Sequence, residues 1–296
     1  MVKFGVAGYP IAFDKSEYRK DRLNIFKWLS SLGIDAFEMQ MTYGPRTKED
    51  TCKEMRLIAA DYDIKITVHA SYYIVFTSSE NQKIERSKET LKRTYELADL
   101  LGSDTIVLHP GPLYGEKSDI VADRFLNNIS EFFNEFGQDK IGLFLETAGK
   151  KGQLGSVEEI IQFSKEIKGC FPCFDFGHIH ARTVGSLNSE KSIKQLFETM
   201  QDLGAFDRRY HIHYTPIDYS SQGERVHKAI NDTYPTNEQM SLFEDNANTG
   251  YYHPRYEPII KSLIDINANC TVISETHNSQ EEGALAMKNY YLDLQK

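Results

Sequence analysis

The stretch at residues 65–109 reads KITVHASYYIVFTSSENQKIERSKETLKRTYELADLLGSDTIVLH and contains one complete strand–helix–strand unit. Residues 65–70 and 105–109 are short and rich in β-branched residues, which is typical of strands. Residues 82–101 have a helical pattern that ends at Gly102, and glycine favours the left-handed cap of a helix. Two short strands joined by a helix predict a parallel pair. Each strand also ends at or next to a histidine, His69 or His109.

The same alternation continues in both directions from this unit. Predicted strands occupy residues 3–7, 36–41, 65–70, 105–109, 142–147, 173–177, 210–214 and 271–275. Predicted helices occupy residues 16–32, 48–62, 82–101, 117–136, 156–167, 189–203, 255–266 and 280–294. Eight such units predict an α/β protein with a (β/α)₈ TIM barrel, formed by a single domain over residues 1–296. A long irregular loop is expected at about residues 215–252, and loops of this length usually have a function.

The composition is that of a soluble globular protein, with 40% hydrophobic and 26% charged residues. The amino terminus lacks the long apolar region of a secretion signal, and no apolar run reaches the roughly 18 residues of a membrane helix. We therefore expect a cytoplasmic protein that binds no membrane and requires no protein partner. The net charge of −9 disfavours broad contact with nucleic acid, although bound divalent cations would give an acidic protein a local surface that attracts phosphate.

The four cysteines lack the spacing of a disulfide framework. Cys170 and Cys173 have the spacing of a redox pair, so thioredoxin-like chemistry is one interpretation. Residues 170–176 instead indicate a buried strand in which cysteine is a small hydrophobic residue, and the sequence predicts no helix immediately after it. The packing interpretation is favoured, and it suits a reducing compartment.

Side chains of metal-ligand type occupy the carboxyl ends of six consecutive predicted strands, from the third to the eighth. The active face of a barrel consists of these strand ends and the loops that follow them, so the six side chains share one rim. A single histidine on a strand is more often structural, but this many carboxylates are costly to bury together without cations. Imidazole and carboxylate are ligands for zinc, manganese or iron, so the rim is predicted to bind metal ions. The six residues are His69, His109, Glu146, Asp175, His213 and Glu275.

Three further ligands are predicted in loops beside this rim. His178 follows Asp175 at a spacing of three, and Glu224 and His227 repeat that spacing in the long segment after the seventh strand. His211 lies about 6 to 7 Å deeper along the seventh strand than the rim, and we expect it to have a supporting or structural role.

Six short motifs lie in order at these strand ends, and in them the chain resembles the endonuclease IV family, the family 2 AP endonucleases. That family belongs to the xylose isomerase-like TIM barrel superfamily. The likeness extends from about residue 60 to the end of the sequence. The motifs are Val68-His69-Ala70-Ser71-Tyr72, Leu108-His109-Pro110-Gly111, Leu145-Glu146-Thr147-Ala148-Gly149-Lys150, Asp175-Phe176-Gly177-His178, His213 and Ser274-Glu275-Thr276.

The resemblance implies three Zn²⁺ ions at the barrel mouth, with Mn²⁺ or Fe²⁺ as alternatives at some positions. The first ion would be bound by His69, His109 and Glu146. The second would be bound by Asp175, His213 and Glu275, with Glu146 as a bridge. The third would be bound by His178, Glu224 and His227.

Two stretches depart from the better-known bacterial pattern of the family. That pattern has Asp-x-His, whereas Gly223-Glu224-Arg225-Val226-His227 has a glutamate and one more residue between the ligands. The form Gly-Glu-x-x-His is similar to an archaeal-type branch. Residues 6–10 lack the Gly-x-His-Val opening of the family, and the loop after the second strand also differs. The third ion and the range of substrates depend on these stretches.

The resemblance implies an activity in base-excision repair, the hydrolysis of the phosphodiester 5′ to an abasic site in double-stranded DNA. A metal-activated hydroxide would attack phosphorus, with Glu146 and Asp175 as catalytic residues that bridge the metals and position the nucleophile. Tyr72 matches a family residue that enters the DNA at the lesion, and Tyr73 would add a second ring. An abasic nucleotide leaves the stack at low cost because it has no base to unpair. Basic residues beside the ligands are either phosphate contacts or solvated loop charges; they are Lys150, Lys151, Arg225 and Lys228.

A second interpretation is a sugar isomerase or epimerase of the same superfamily, which uses a smaller metal site. A Glu, Asp, His, Glu set on strands five to eight fits both interpretations. An enzyme with one metal ion and a small sugar substrate does not need the other ligands, so these favour the nuclease. A metal-binding role without catalysis is the third alternative. The residues that separate the first two interpretations are His69, His109, Glu224 and His227.

Overall fold

Eight parallel strands form a closed barrel within the ranges that the computed structural model describes, residues 2–137, 140–234 and 250–296. The order around the barrel is β1-β12-β9-β8-β6-β4-β3-β2, and β2 pairs with β1 to close it. This confirms the predicted single-domain TIM barrel. The barrel strands are β1 (Lys3–Ala7), β2 (Ala36–Gln40), β3 (Lys65–His69), β4 (Thr105–Leu108), β6 (Gly142–Glu146), β8 (Cys170–Asp175), β9 (His211–Tyr214) and β12 (Thr271–Ser274).

Two short antiparallel pairs lie outside the barrel strands. One joins β5 (Gly111–Pro112) to β7 (Gln153–Leu154), and the other joins β10 (Ile217–Ser220) to β11 (Gly223–His227). Both pairs come from loops that follow the carboxyl ends of barrel strands, so they extend the same rim.

Helices surround the barrel and bury one face against it. In α4 the buried residues include Ile84, Leu91 and Ala98, which recur at a spacing of seven and so share one face of the helix. Gly102 ends this helix in the left-handed conformation with φ 69°, and its N–H donates to the carbonyls of Ala98 and Asp99, as the sequence predicts. The helices are α1 (Ile11–Lys15), α2 (Ile25–Leu32), α3 (Glu49–Asp61), α4 (Asn81–Leu101), α5 (Ser118–Phe136), α6 (Val157–Glu166), α7 (Phe176–Arg182), α8 (Glu190–Asp202), α9 (Tyr256–Asp265) and α10 (Gln280–Leu294).

The first predicted helix, residues 16–32, is wrong over its first half. The chain forms α1, two short 3₁₀ turns and then α2. Ser16 Oγ accepts a hydrogen bond from the Tyr18 N–H at 3.2 Å, and Asp21 Oδ1 accepts one from the Leu23 N–H at 2.9 Å. These bonds give the backbone an alternative to a continuous helix.

The region after β8 also differs from the sequence prediction, which extends a strand to residue 177 and expects no helix there. Helix α7 begins at Phe176, immediately after the strand. Asp175 caps it, since Asp175 Oδ1 accepts the His178 N–H at 2.8 Å. The spacing of three between Asp175 and His178 is therefore that of a helix cap as well as that of two predicted ligands.

The long loop predicted at residues 215–252 is partly regular. The hairpin of β10 and β11 occupies residues 217–227, and residues 235–249 lie outside the described ranges. Gly223, with φ +102°, is at the turn of this hairpin, where a side chain would be strained.

Cys170 and Cys173 are packing residues of β8. Both are buried, and they are three residues apart in a strand, so their side chains point to opposite faces. Cys170 belongs to the main hydrophobic core, whereas Cys173 packs with Val107 and Phe144 in a separate small cluster. Burial raises the pKa of both thiols, which opposes thiolate chemistry.

None of the helices in the described ranges combines the length and the apolar character needed to cross a membrane.

Candidate metal centre

The two carboxylate oxygens of Glu146, at the end of β6, face different histidines. Oε2 lies 3.1 Å from His69 Nε2 and 3.1 Å from His109 Nε2. Oε1 lies 3.0 Å from His213 Nδ1 and 3.4 Å from His178 Nδ1. Glu146 is fully buried. A carboxylate with ligand-type nitrogens on both oxygens has the arrangement of a bridge between two cations.

Three of the strand-end residues surround the Oε1 side of Glu146. Potential ligand atoms of Glu146, Asp175, His213 and Glu275 all lie within 4.8 Å of one another. Glu275 Oε1 is 3.4 Å from His213 Nδ1. This group has the members expected for the second ion. The set expected for the first ion does not form one such group, because His69 and His109 each group with Glu146 and a different third histidine.

The group expected for the third ion, His178, Glu224 and His227, also has ligand atoms within 4.8 Å of one another. Glu224 Oε2 is 3.8 Å from His178 Nε2, and Glu224 Oε1 is 3.8 Å from His227 Nε2. The geometry therefore brings all nine predicted ligands to one rim, in overlapping groups.

A bulge in β11 explains how two side chains three residues apart, Glu224 and His227, join the same potential ligand group. The hairpin pairs Asp218 with Val226 and Tyr219 with Glu224, so Arg225 is the additional residue of the bulge. In a regular strand, residues three apart point to opposite faces, and one additional residue returns them to the same face. The longer Glu-x-x-His spacing is thus compensated by the backbone.

The hairpin is attached to the loop after β6 by backbone contacts. The Glu224 N–H donates to the Gly149 carbonyl at 3.0 Å, and the Lys151 N–H donates to the Gln222 carbonyl at 3.1 Å. The approach is close enough to require glycine, because a Cβ at position 149 would lie 2.7 Å from the Glu224 Cβ. Gly149 therefore allows the third group to form.

Backbone carbonyls fix the orientation of three ligand histidines. The Nδ1 atoms of His69, His178 and His227 lie 2.9 to 3.2 Å from the carbonyls of Ala70, Thr147 and Glu275 respectively. A carbonyl only accepts, so each Nδ1 carries the hydrogen and each Nε2 faces the cluster of carboxylates.

The donor set fits divalent cations. Among the residues that the structure describes, neither the buried Asp175 Oδ2 nor the buried His109 Nδ1 has a hydrogen-bond partner. Three carboxylates of the second group lie within 4.8 Å of one another, which would leave like charges together in a buried site. An unpartnered carboxylate oxygen within such a set is the arrangement expected of a site that binds a cation.

Burial and neighbouring charges shift the pKa values of the group. Burial raises the pKa of Glu146, but His109 and His213 outweigh this effect and hold it well below its usual range. Burial lowers the pKa of His69, yet its hydrogen bond to Glu146 and the charge of that residue raise it to about 9. For His109 burial dominates over the attraction of Glu146, so its pKa falls to about 4. Perturbed values of this kind are typical of functional sites.

Sequence reasoning missed Glu38. This residue lies inside β2, is fully buried, and forms a further potential ligand group with His211 and His213 beneath the rim. The available signal was that Glu38 is the single charged residue of the predicted strand at residues 36–41.

Aromatic residues line the rim beside His69. Tyr72 and Tyr73 are about half exposed, and their hydroxyls form a hydrogen bond of 2.8 Å. Tyr43, from the loop after β2, is 64% exposed and packs edge-on against Tyr72, with ring centroids 5.8 Å apart. Tyr43 was not among the aromatic residues predicted from the sequence to contact DNA.

The basic candidates differ in their surroundings. Lys150 is exposed and lines the rim cavity of about 280 Å³ together with His109 and Glu224. Arg225 is exposed in the bulge of β11. The Lys228 ammonium lies over the Tyr252 ring, 4.6 Å from its centroid, and is thus already in contact with the protein. A larger cavity of about 660 Å³ between α6 and α8 contains no group of metal-ligand type among the described residues.

Known proteins with related sequences include one that matches almost the whole chain. An uncharacterized protein of Methanocaldococcus jannaschii is 28% identical over 294 residues, which cover 98% of this chain and 97% of that protein. A probable endonuclease 4 of Nitratidesulfovibrio vulgaris is 28% identical over 165 residues, which cover 53% of this chain and 58% of that protein. The chain thus spans little more than half the length of this second relative.

Solved structures with the same fold include enzymes of two kinds. Endonuclease IV from Thermus thermophilus superposes with a TM-score of 0.67 and 14% identity over 99% of each chain. D-psicose 3-epimerase from Clostridium cellulolyticum superposes with a TM-score of 0.65 and 14% identity over 98% of each chain. At such identities the likeness concerns the fold alone. A family model described as a xylose isomerase-like TIM barrel matches residues 26–290. Because this match covers most of the sequence, the chain belongs to the xylose isomerase-like TIM barrel family.

Proposed function

We propose that this protein is a metal-dependent endonuclease that hydrolyses the phosphodiester 5′ to an abasic site in double-stranded DNA. The observation that carries the proposal is the third ligand group, His178, Glu224 and His227, beside the groups that share Glu146. A substrate with one phosphodiester and a charged leaving oxygen benefits from several cations, whereas a small neutral sugar does not. The partial sequence likeness to a probable endonuclease 4 supports the same activity.

The chain's own side chains provide the scaffold for this reaction. Glu146 presents one oxygen to His69 and His109 and the other to His213, which suits a bridge between ions. Asp175 offers a buried oxygen that has no hydrogen-bond partner among the described residues. We expect three Zn²⁺ ions, with Mn²⁺ or Fe²⁺ as alternatives at some positions. Bound ions of this kind lower the pKa of water and neutralise charge on phosphate.

The exposed tyrosines fit the DNA substrate. Tyr43, Tyr72 and Tyr73 form a continuous aromatic surface next to His69, on which bases flanking a lesion can stack. Lys150 and Arg225 are exposed near the third ligand group and are proposed as phosphate contacts. Lys228 is a weaker candidate because its ammonium already lies over Tyr252. The net charge of −9 is compatible with this role if the ions supply the local positive potential.

The test is cleavage of a DNA duplex that carries one synthetic abasic site by the zinc-loaded protein. We expect a single product cut on the 5′ side of the lesion with a 3′ hydroxyl, and no product after chelation. Glu146→Gln should abolish cleavage because a neutral amide bridges cations poorly, while Glu54→Gln, an exposed position on α3, should retain it. Absence of 5′ cleavage by the zinc-replete protein would contradict the proposal.

A sugar isomerase or epimerase is the second candidate function. The observation that favours it is the four-residue group of Glu146, Asp175, His213 and Glu275, which is complete without the other ligands. The two candidates predict different metal contents, three ions per chain for the nuclease and one for the isomerase. Metal analysis of the purified protein, followed by assay of ketose epimerisation, separates them.

We propose that the protein acts in the cytoplasm without a required protein partner. All four cysteines are free and buried, which suits a reducing compartment.

A further inference from the structure

Glu38 is a buried carboxylate that none of the proposed metal ions uses. It lies in the middle of β2, paired in register with Thr67 of β3, and has no exposed surface. A buried carboxylate is unfavourable unless hydrogen bonds replace its hydration. Its role therefore depends on the side chains that contact it.

Four side chains donate to the two oxygens of Glu38. Oε2 is 3.0 Å from His211 Nε2 and accepts from the Thr67 hydroxyl at 3.0 Å. His213 Nε2 hydrogen-bonds to Oε2 at 3.2 Å and lies 3.1 Å from Oε1, which accepts from the Gln40 amide at 3.2 Å. With four donor side chains on its two oxygens, the carboxylate is held in one orientation.

His213 is oriented differently from the other ligand histidines. His69, His178 and His227 bond to a backbone carbonyl through Nδ1 and face the cluster with Nε2. His213 faces Glu146 Oε1 with Nδ1, at 3.0 Å, and its Nε2 points down to Glu38. The Glu38 carboxylate only accepts, so Nε2 carries a hydrogen, and Nδ1 is the nitrogen that is left to bind an ion at the rim.

The alternative role for this group is a further metal site formed by Glu38, His211 and His213, whose ligand atoms lie within 4.8 Å of one another. The hydrogen bonds argue against it. An ion there would displace both histidine donors from Glu38, and it would require His213 to bind cations through both ring nitrogens. The four donors already satisfy the carboxylate without an ion.

We propose that Glu38 is a positioning residue for the metal centre, which fixes the tautomer and ring orientation of His213 so that Nδ1 binds the ion at the Glu146 bridge. His211 and Thr67 hold Glu38 in place from beneath. A carboxylate behind a ligand histidine also increases the basicity of the ligand nitrogen. The inference rests on the proposed metal centre but does not depend on DNA as the substrate.

The first measurement is the affinity of the intact protein for Zn²⁺, determined by competition with a chromophoric chelator. Glu38→Gln keeps the shape of the side chain but removes its charge and replaces one acceptor with a donor, so it cannot satisfy all four donors that contact Glu38. We expect about 10- to 100-fold weaker binding of the ion at the bridge, the usual effect of losing such a partner. Glu54→Gln, the same substitution at an exposed site, should bind Zn²⁺ like the wild type. Wild-type affinity in Glu38→Gln would overturn the proposal.

The second measurement needs no substitution of Glu38. In ¹⁵N spectra of the zinc-loaded wild type, assigned with His213→Asn, the His213 signals should report a proton on Nε2 and zinc on Nδ1. Zinc on Nε2 of His213, or zinc-induced shifts of the His211 nitrogens, would overturn the proposal in favour of a metal ion at Glu38. Both measurements report on zinc binding and on the histidine rings, and neither uses DNA. Their failure is therefore distinct from a failure to cleave abasic DNA.

Discussion

His69 and His109 contact the same oxygen of Glu146 at the same distance, 3.1 Å, but differ in their affinity for protons. Glu146 hydrogen-bonds His69 and raises its pKa to about 9, whereas burial lowers the pKa of His109 to about 4. In the metal-free protein the two imidazoles therefore have different protonation states near pH 7, and only His69 would have to lose a proton before it binds a cation.

His69 should release a proton when zinc binds near pH 7, and this release should disappear as the pH rises through about 9. Its folded pKa lies above its ordinary value of 6.5, so protonation stabilises the metal-free fold fully below about pH 6.5 and less as the pH approaches 9. Calorimetric titration of a weak zinc chelate in buffers of different ionisation enthalpy measures the released protons. The difference between wild type and His69→Asn isolates this histidine from its neighbours. An equal difference near pH 7 and above pH 9 would contradict the assignment.

At the level of residues, the sequence identified the strand-end ligands but not Glu38. A search at strand ends finds His69 or Glu275 because the barrel fold places all such ends on one rim. Glu38 lies in mid-strand, and its histidine partners are 173 and 175 residues away. Such pairing depends on which strands face each other across the barrel and on the position of each residue along the barrel axis. Local sequence patterns do not contain this information.

The β10–β11 hairpin is the element that completes the third ligand group. It carries Glu224 and His227 and is bonded to the loop after β6 through Gly149. The bulge at Arg225 sets the direction of the two ligands, so the length of the strand segment between them can be varied as a test.

Deletion of Arg225 should preserve the third ion. Glu224 and His227 would then be two residues apart in a strand without a bulge and would again share a face. Deletion of both Arg225 and Val226 makes the ligands adjacent, so they point to opposite faces and one ion should be lost. Metal analysis of the two purified variants measures how many ions each one retains. Equal loss in both would show that the bulge does not compensate for the longer spacing.

The elements that the sequence predicted well are those with a repeated pattern. All eight barrel strands occur near their predicted positions because each has a short apolar run and a helix behind it. Helix α7 was missed because Asp175 ends a strand and caps a helix at once, so no polar turn separates the two. The hairpin was missed because its strands are short and partly exposed, which leaves little alternation of apolar and polar residues.

In the whole molecule, the ligands come from six barrel strand ends, the loop hairpin and α7. Bound ions would therefore connect parts of the chain that are distant in sequence, from His69 to Glu275. Without cations, the same site places three carboxylates, two buried and one partly buried, within 4.8 Å of one another. The metal-free fold should thus be the less stable form.

Zinc should raise the free energy of unfolding by about 2.7 kcal/mol for each site when its free concentration is 100 times the dissociation constant. Denaturant unfolding with and without zinc measures this gain, and chelation should reverse it. Glu146→Gln, which affects more than one ligand group, should reduce the gain more than His227→Asn, which affects one. A free energy of unfolding that does not respond to zinc would contradict the proposed centre.

The closure of the barrel by β1 and β12 has a consequence for synthesis of the protein. Lys3 to Val6 pair with Thr271 to Ser274, across almost the entire described chain. A ribosome adds about 5 to 20 residues per second, so a nascent chain exists for many seconds with β1 lacking one neighbour and with Glu275 not yet made. During that interval the first ligands, His69 and His109, have emerged without the carboxylate that completes the second group. Metal loading of the complete rim would therefore follow the synthesis of the final barrel strand and its entry into the barrel.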